Sequence, residues 1–422
     1  MSGSDGHPVE LLVIGGGIAG LWTLDAAVRA GWNAVLVEAF ELGRGQSVAA
    51  QGIIHGGLKY TLRERDLEAA GAIAEMPAFW RERHESQGET GPDLRRARMS
   101  APCTWMWRTD TLSSRLGMLG AKAALRTRPH AVEEDERPAL LRSAPGTVLR
   151  VAEPVFDTRS VLETLARAHG RRIVGVDGIE GIEFSSAGGR VERVILRSGD
   201  FEVAIRPAAV ALAAGTGNEG LRARLGLDPE AGQRRPLHMA LVRSRSLPEF
   251  HGHCVDGNRT RVTITSARDD RDRVVWQLGG DLAERGVGRD DAAQRRAAAE
   301  ELRAVLPTLG FDGMDDLEWS SYRVDRAERR TRAGLRPDDA EVVSLHGGRL
   351  VTAWPTKWAL APRLAASVLA ATRDAVESSG FPTIADAVPA ALDGLRRPRV
   401  APYPWEERSW TKHRDVVSAE PV

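Results

Sequence analysis

The sequence predicts an α/β (α+β) chain with one parallel sheet and one inserted, mostly antiparallel domain. Three observations predict it. A strand, a glycine turn, a helix and a second strand follow one another between residues 9 and 38, as in a parallel sheet. Short strands between residues 239 and 279 predict the antiparallel domain, and a strand followed by an apolar helix occupies residues 349–372.

The first unit opens on the continuous apolar run Val9–Ile14, which predicts a buried strand. Six residues of glycine-rich turn separate it from a helix predicted at Leu21–Ala30. The second strand is predicted at Ala34–Val37 and ends in Glu38. This order is one βαβ unit.

Residues 62–125, which follow the βαβ unit, are predicted to be an insertion between parts of the parallel sheet. Helices are predicted at residues 62–83 and 112–125, with a strand-like stretch at 98–107 between them. Asp157 is a suitable N-cap for a further helix, which Gly170 would end.

Short strands dominate the rest of the chain. Residues 179–184 and 191–196 alternate apolar and polar side chains around a Ser/Gly turn, which predicts a hairpin. The other strands are predicted at 210–214, 239–243, 262–265, 274–279 and 349–353. Helices are predicted at 291–306 and 361–372.

Composition excludes several classes of protein. Of 422 residues, 42% are apolar and 58 basic residues balance 58 acidic ones, which is typical of a soluble globular protein and gives no footprint for nucleic acid. Cys103 and Cys254 form no CxxC, so no disulfide framework and no metal site are expected. The apolar stretch Leu11–Leu24 is too short and too glycine-rich for a membrane span, and we expect a cytoplasmic protein. Only four of the basic residues are lysines, a bias typical of a GC-rich bacterial genome.

Gly15, Gly17 and Gly20 form a GxGxxG between the first strand and its helix. These glycines allow the tight turn, the approach of a pyrophosphate to the backbone and close helix packing. Ile18 and Ala19 lie between these glycines and are predicted to contact the cofactor, and the N-terminus of the helix faces the phosphates. The motif predicts a Rossmann-like site for an ADP-bearing cofactor.

Glu38 stands at the end of the second strand, where a carboxylate can accept hydrogen bonds from an adenosine ribose. An acidic residue there disfavours a 2′-phosphate. The motif does not distinguish NAD from FAD.

The segment after Glu38 separates these two cofactors. Gln46, Ser47 and Gly52 lie in a turn rich in small residues, which suits backbone running beside a flat ring, and Ile54 and His55 follow. Here the chain resembles the D-amino acid oxidase (DAO) superfamily of FAD-dependent oxidoreductases, which includes glycine and sarcosine oxidases and flavin-dependent glycerol-3-phosphate dehydrogenases. Residues 45–52 resemble the glycine oxidase pattern GxSxAAxG, and residues 54–60 are similar to the IHGGLRY stretch of the glycerol-3-phosphate dehydrogenases.

The resemblance recurs at residues 156–159, 319–323 and 350–362, and at Ala214 and Gly215 in the segment 212–218. It implies non-covalently bound FAD. It also implies a discontinuous FAD-binding domain (1–61, 151–225 and 337–385), a substrate domain (62–150 and 226–336) and a C-terminal tail (386–422).

One departure lies before the last helix, where the family usually has a glycine-rich turn and this chain has Trp354–Pro362. Thr356 and Lys357 stand there instead. We expect Lys357 at the N1–C2 edge of the flavin, where a cation stabilises the reduced ring; a surface lysine before a helix is the alternative.

The resemblance implies hydride transfer to flavin N5 from a carbon bearing a hydroxyl or an amine, and then reoxidation by oxygen or a quinone. His55 is the candidate base. A histidine bonded to backbone in a glycine turn and covalent attachment of the flavin are its alternatives. Arg323 is the candidate for binding a substrate carboxylate or phosphate, with a salt-bridged surface as its alternative.

The sequence therefore predicts an FAD-dependent oxidase or dehydrogenase of a small polar metabolite, with glycerol 3-phosphate or a hydroxy acid favoured over an amino acid. The alternative is a non-catalytic flavoprotein-fold binding or assembly factor. The tail, with Arg396, Arg397 and the stretch Trp405–Trp410, suits either peripheral contact with the inner face of a membrane or docking on its own domain.

Overall fold

The computed structural model describes residues 6–57, 73–86, 91–109, 130–187, 190–257, 259–331, 337, 339–381 and 390–418. The predicted helix at 112–125, the first half of that at 62–83 and the stretch Leu58–Tyr60 lie outside these residues.

The first sheet contains eight strands within the described residues. These are β1 (His7–Ile14), β2 (Ala34–Glu38), β8 (Ile173–Gly175), β9 (Ile182–Ala187), β10 (Arg190–Ser198), β11 (Phe201–Leu212), β17 (Glu341–Leu345) and β18 (Leu350–Trp354).

The second sheet runs through nine strands in the described ranges. These are β4 (Thr104–Arg108), β5 (His130–Val132), β6 (Val148–Val151), β12 (Gly232–Ser244), β13 (Gly252–Asp256), β14 (Arg259–Arg268), β15 (Val274–Gly279), β16 (Glu318–Arg329) and β19 (Thr411–Lys412). The strands β3 (Met99–Ala101) and β7 (Val155–Phe156) form a separate pair.

The helices are α1 (Ile18–Arg29), α2 (Met76–Glu85), α3 (Thr158–Ala168), α4 (Asn218–Arg224), α5 (Asp281–Arg285), α6 (Asp291–Val305), α7 (Ala361–Glu377) and α8 (His413–Val417). Helix α3 begins as predicted, because the Asp157 carboxylate accepts a hydrogen bond from the Ser160 N–H at 2.8 Å.

Parallel pairing defines the centre of the first sheet, in the order β17-β18-β11-β1-β2-β8. Strands β18, β11, β1, β2 and β8 are parallel, so their carboxyl ends meet at one edge. The apolar run of β1 is buried on both faces, as expected in a parallel sheet. Helix α1 packs against the helices α3 and α7.

The N-terminal half of β11 pairs with β10 instead of β18, and β10 forms the predicted hairpin with β9. A single 12-residue strand therefore belongs to both the parallel sheet and an antiparallel meander. The sequence predicts only its last residues, because the first half alternates in burial and Pro207 follows it.

The second sheet is mostly antiparallel, as predicted, with the order β19-β16-β12-β15-β14-β13-β4-β6-β5. Its one parallel pairing among the described strands joins β13 to β4. Leu241 and Tyr322 of this sheet pack into the same apolar core as Leu36 and α1 of the first. The two sheets thus share a core where their elements meet.

The C-terminal tail docks on the protein itself. Arg396 donates hydrogen bonds to the carbonyls of Phe40 (2.9 Å), Ala39 (2.8 Å) and Val176 (2.8 Å), which lie just after β2 and β8. Further along, β19 pairs with β16. The Arg396 guanidinium, one of the groups for which lipid contact was an alternative, therefore binds backbone carbonyls of the protein. No helix of the described residues is long and apolar enough to cross a membrane.

Candidate functional site

The glycine turn lies at the carboxyl edge of the parallel sheet, between β1 and α1. Gly15 has φ +113°, and its N–H donates to the Val37 carbonyl at 2.8 Å. An added Cβ at Gly15 would lie 2.5 Å from Ala214 Cα, and one at Gly20 would lie 1.8 Å from the Gly15 carbonyl oxygen. Both positions require glycine because backbone approaches backbone there.

Glu38 closes one side of this turn. Its carboxylate accepts hydrogen bonds from the N–H groups of Gly16 (2.6 Å) and Phe40 (2.8 Å). Burial raises the pKa of Glu38, and these two N–H groups oppose that shift. The carboxylate thus lies beside the glycine turn, and its role at a ribose stays a prediction.

The segment after β2 folds back over the N-terminus of α1. Ser47 Oγ accepts a hydrogen bond from the Ile18 N–H at 3.0 Å, and Ala19 is buried beside it. The Gln46 side chain accepts from the Ala327 N–H at 2.8 Å, which connects this segment to β16. Gln46 and Ser47 therefore border the turn, and Gln46 also bridges the two sheets.

Residues 52–56 run antiparallel to residues 153–156. Gly52 accepts a hydrogen bond from the Phe156 N–H at 2.9 Å, and an added Cβ at Gly52 would lie 1.9 Å from the Phe156 carbonyl oxygen. The Ile54 N–H donates to Pro154 at 2.9 Å, and the Ile54 side chain is fully buried. This pairing fixes the turn that carries His55.

Two further predicted positions follow strands of the same edge. Ala214 follows β11, and its N–H donates to Asn218 Oδ1 at 2.9 Å, while Gly215 has φ +58°. Thr356 and Lys357 follow β18. The structure thus brings the GxGxxG, Glu38 and these two turns to one edge of the sheet.

Thr356 adopts the left-handed backbone region, with φ +59°, at the turn where the family usually has glycine. A β-branched residue rarely adopts this conformation. The buried Thr356 hydroxyl donates to the Asp339 carbonyl at 2.7 Å, which holds the turn. Thr356 therefore adopts, without being a glycine, the left-handed conformation that usually favours glycine.

A buried hydrogen-bond network joins residues 49–51 to the second sheet. Gln277 Nε2 donates to the Ala49 carbonyl at 2.7 Å and to the Tyr322 hydroxyl, which itself donates to Ala49 at 3.2 Å. Gln51 Nε2 donates to the Gln277 carbonyl at 2.9 Å. Burial raises the pKa of Tyr322 above its usual range, so the phenol stays protonated.

Replacing Gln277 with Leu is expected to lower the free energy of unfolding by about 1–3 kcal/mol, because it leaves buried polar groups unpaired. Chemical denaturation with FAD content as a second readout measures the effect. Tyr322→Phe is the matched comparison: it keeps the Gln277 to Ala49 bond, so a smaller loss is expected. Equal losses in both variants would contradict this ranking.

Arg323 lies on the opposite face of β16 from Tyr322, because side chains alternate along a strand. Its guanidinium donates to the carbonyls of Val287 (2.8 Å) and Arg289 (2.5 Å), and the residue is exposed. Tyr322 points instead toward Ala49. A role for Arg323 in substrate binding stays a prediction, and its position gives that role no support.

His55 lies in a cluster that the sequence did not predict. Its Nδ1 is 3.3 Å from Glu153 Oε2, while Glu153 Oε1 accepts a hydrogen bond from the Gly56 N–H at 2.7 Å. His253 approaches from β13, with its ring centroid 5.5 Å from that of His55. The His55 side chain is 19% exposed, against 3% for Glu153 and 1% for His253.

These three side chains are the described residues whose donor atoms could hold a metal ion, since the atoms lie within 4.8 Å of one another. Two imidazoles and a carboxylate are ligands that divalent metals accept. The sequence expectation of no metal stays a prediction.

A small, partly open pocket lies near residues 50–51, between them, the second sheet and the C-terminal tail. Gln51, Thr265, Gln277 and Tyr403 are among the polar residues that line it.

The edge of the parallel sheet fits an ADP-bearing cofactor. Gly17 is the N-cap of α1 and contributes no capping side chain, and the first turn carries no acidic residue. An added Cβ at Gly17 would meet only Ser47 Oγ, at 3.0 Å, among the described atoms. A helix N-terminus with this access suits a pyrophosphate. Fold and site together define an α/β dinucleotide-binding protein.

Comparison with known protein families identifies which kind of dinucleotide-binding protein this is. The model of the FAD dependent oxidoreductase (DAO) family matches residues 10–358, and the chain belongs to that family. It is therefore an FAD-dependent oxidoreductase, as the resemblance in its motifs implied.

The chain is 39% identical over 401 residues to the "Probable FAD-dependent oxidoreductase PA4991" of Pseudomonas aeruginosa, covering 94% of this chain and 97% of that protein. The crystal structure of PA4991 superposes with a TM-score of 0.77 at 36% identity, covering 95% and 98% of the two chains.

Glycine oxidase from Geobacillus kaustophilus has a TM-score of 0.60 at 16% identity and covers 91% of this chain and 99% of its own. The FAD-bound L-alpha-glycerophosphate oxidase from Mycoplasma pneumoniae has a TM-score of 0.59 at 12% identity, with coverage of 87% and 95%. These two likenesses show a shared fold.

No sequence pattern identifies Glu153, His253 and Gln277 as site residues. Glu153 precedes a proline in a short loop, and His253 lies in an ordinary strand. Gln277 lies in the predicted strand Val274–Gly279, but only the tertiary structure shows that its side chain donates to Ala49.

Proposed function

We propose that this FAD-dependent oxidoreductase oxidises a hydroxyl-bearing small polar metabolite, of the glycerol 3-phosphate or 2-hydroxy-acid class, with His55 as the base. The observation that carries the proposal is the contact between His55 and a buried carboxylate, 3.3 Å away. A hydroxyl donor must lose a proton as it is oxidised, whereas a neutral amine needs no such base.

Within this proposal the Gly15–Gly20 turn and the N-terminus of α1 hold the pyrophosphate, and Glu38 holds the ribose. FAD, when bound, accepts the hydride from the carbinol carbon and hence both electrons of the oxidation. His55 Nε2 takes the hydroxyl proton, and the donor leaves as the carbonyl compound.

Lys357 contributes positive charge after β18, where the resemblance puts the flavin N1–C2 edge. The division of the chain into an FAD-binding and a substrate domain is part of the same proposal. It is supported by the separation of residues 7–38, 173–212 and 341–354 from residues 232–329 into different sheets.

The test is an anaerobic titration of the purified yellow protein with glycerol 3-phosphate, 2-hydroxy acids, sarcosine and D-amino acids. Bleaching by a hydroxyl donor is expected. Bleaching by an amine alone would overturn the donor class, and a fully inert flavin would favour the non-catalytic alternative. Reoxidation by oxygen or by a quinone analogue then separates oxidase from dehydrogenase.

His55→Ala is expected to lower the limiting rate of flavin reduction roughly 100-fold while FAD stays bound, because general-base catalysis contributes about 10²–10⁴-fold. Stopped-flow absorbance at saturating donor measures it. His130→Ala, at an exposed position on β5, is the matched control and should keep the wild-type rate. An unchanged rate in His55→Ala would remove His55 from the mechanism.

A further inference from the structure

We propose that Glu153 is the positioning residue of this reaction: it holds His55 in the orientation and tautomer that accept the donor's proton. The inference rests on the proposed function, because Glu153 acts only through His55. It assigns a role to a residue that no motif in the sequence identified.

The two carboxylate oxygens of Glu153 bind two neighbouring residues of one turn. Oε1 accepts the Gly56 N–H at 2.7 Å, and Oε2 lies 3.3 Å from His55 Nδ1. The first contact fixes the backbone that carries the histidine, and the second fixes the ring. Both constraints act on the same imidazole.

The chemistry of these groups selects the tautomer. An ionised carboxylate only accepts hydrogen bonds, so the hydrogen between it and His55 belongs to Nδ1. A neutral imidazole with hydrogen on Nδ1 has its basic lone pair on Nε2. The Glu153 contact therefore favours the tautomer in which Nε2 accepts a proton.

Burial makes this contact effective. Glu153 is 3% exposed, and a charge removed from water is costly unless it is paired. When His55 takes the donor's proton, a positive charge forms 3.3 Å from the carboxylate, in a setting that strengthens their attraction. The carboxylate thus stabilises the protonated histidine that the reaction creates.

His253 occupies the other side of the cluster and has a different role. Its Nδ1 lies 2.9 Å from Thr263 Oγ1, and its Nε2 lies 4.0 Å from Glu153 Oε2, beyond a direct hydrogen bond. The shorter contact assigns Glu153 to His55. His253 is itself buried on β13, at 1% exposure.

Glu153→Gln tests the inference in a double-mutant cycle with His55→Ala. The single Glu153→Gln variant is expected to reduce flavin roughly 100-fold more slowly at saturating donor. In the His55→Ala background the same change should cost no further rate. Independent, multiplying losses would overturn the inference, since Glu153 would then act by another route.

A second readout does not require turnover. In protein labelled with ¹⁵N-histidine, long-range ¹H–¹⁵N spectra report which ring nitrogen of His55 carries hydrogen, and His55→Ala identifies its signals. We expect Nδ1–H in the wild type and a shift toward Nε2–H in Glu153→Gln. A wild-type His55 protonated on Nε2 would overturn the inference.

Asp25→Asn is the matched control. It breaks another buried carboxylate–histidine pair, Asp25 Oδ1 to His169 Nε2 at 2.9 Å, and should leave flavin reduction unchanged. Elemental analysis adds one more arm: a stoichiometric divalent metal in the wild type that Glu153→Gln lacks would make the carboxylate a ligand and overturn the positioning role.

The outcomes separate the two proposals. If His55→Ala leaves flavin reduction unchanged, the proposed function fails. If His55→Ala slows it and Glu153→Gln does not, only the positioning role fails.

Discussion

Gly15→Ala is expected to yield a protein that retains no FAD. The φ of +113° at Gly15 is one that side chains rarely adopt, and the added Cβ would lie 2.5 Å from Ala214 Cα and 2.6 Å from its nitrogen. Those atoms directly follow β11, which pairs with β1, so they cannot move unless the sheet shifts. We expect about 1–3 kcal/mol from backbone strain and a similar amount from the overlap.

The ratio of flavin to protein absorbance measures this result, with denaturant unfolding as the second readout. Gly17→Ala keeps the prediction testable if Gly15→Ala fails to fold: its Cβ would meet only Ser47 Oγ, at 3.0 Å among the described atoms, so the fold should survive while FAD affinity falls. Gly170→Ala, with no described atom within 4 Å of the added Cβ, is the control. A fully yellow Gly15→Ala would refute the dinucleotide assignment at this turn.

Trp80→Ala is expected to lower the free energy of unfolding by about 3–5 kcal/mol, the range for removing a large buried aromatic side chain. Trp80 is fully buried in α2. Its ring lies 4.7 Å from that of Trp22 in α1 and 4.8 Å from that of Trp358, between centroids, and its Nε1–H donates to the Ala359 carbonyl at 3.1 Å.

Because Trp358 and Ala359 follow Lys357 directly, the same variant is expected to weaken FAD retention. Trp80→Phe keeps one aromatic ring but loses the N–H donor and part of the buried ring volume, so we expect it to lie between wild type and Trp80→Ala. Urea midpoints of the three proteins measure the order. Equal midpoints for wild type and Trp80→Ala would show that the aromatic cluster contributes little to stability.

Local sequence predicted the elements whose determinants are themselves local. Val9–Ile14, the GxGxxG and the helix N-cap Asp157 each combine a run of side chains with a turn signal, and the structure places them as predicted. The long strands were predicted too short. The first half of β12 contains Pro236 and two arginines, yet it pairs with β16 along its whole length. It pairs with β15 only from Ala240 onward, so the proline lies where β12 has one neighbour.

Arg323 and Tyr322 show the limit of motif reading. The segment that carries the family resemblance includes both, but the alternation of side chains along β16 separates them. Tyr322 faces the core beside Ala49, and Arg323 faces a surface loop. Sequence alone does not fix which face of a strand will be covered.

The sequence by itself determined the class of cofactor, because the glycines at 15, 17 and 20 lie in one continuous turn and their spacing is visible without the rest of the chain. Tertiary structure alone decided what surrounds the candidate base. His55 and Glu153 are 98 positions apart in the sequence, and His253 lies on β13 of the second sheet. Their proximity therefore depends on how residues 52–56 pair with residues 153–156 and on the position of β13. Catalytic geometry of this kind depends on contacts between residues that are distant in the sequence. A local sequence pattern does not predict such contacts.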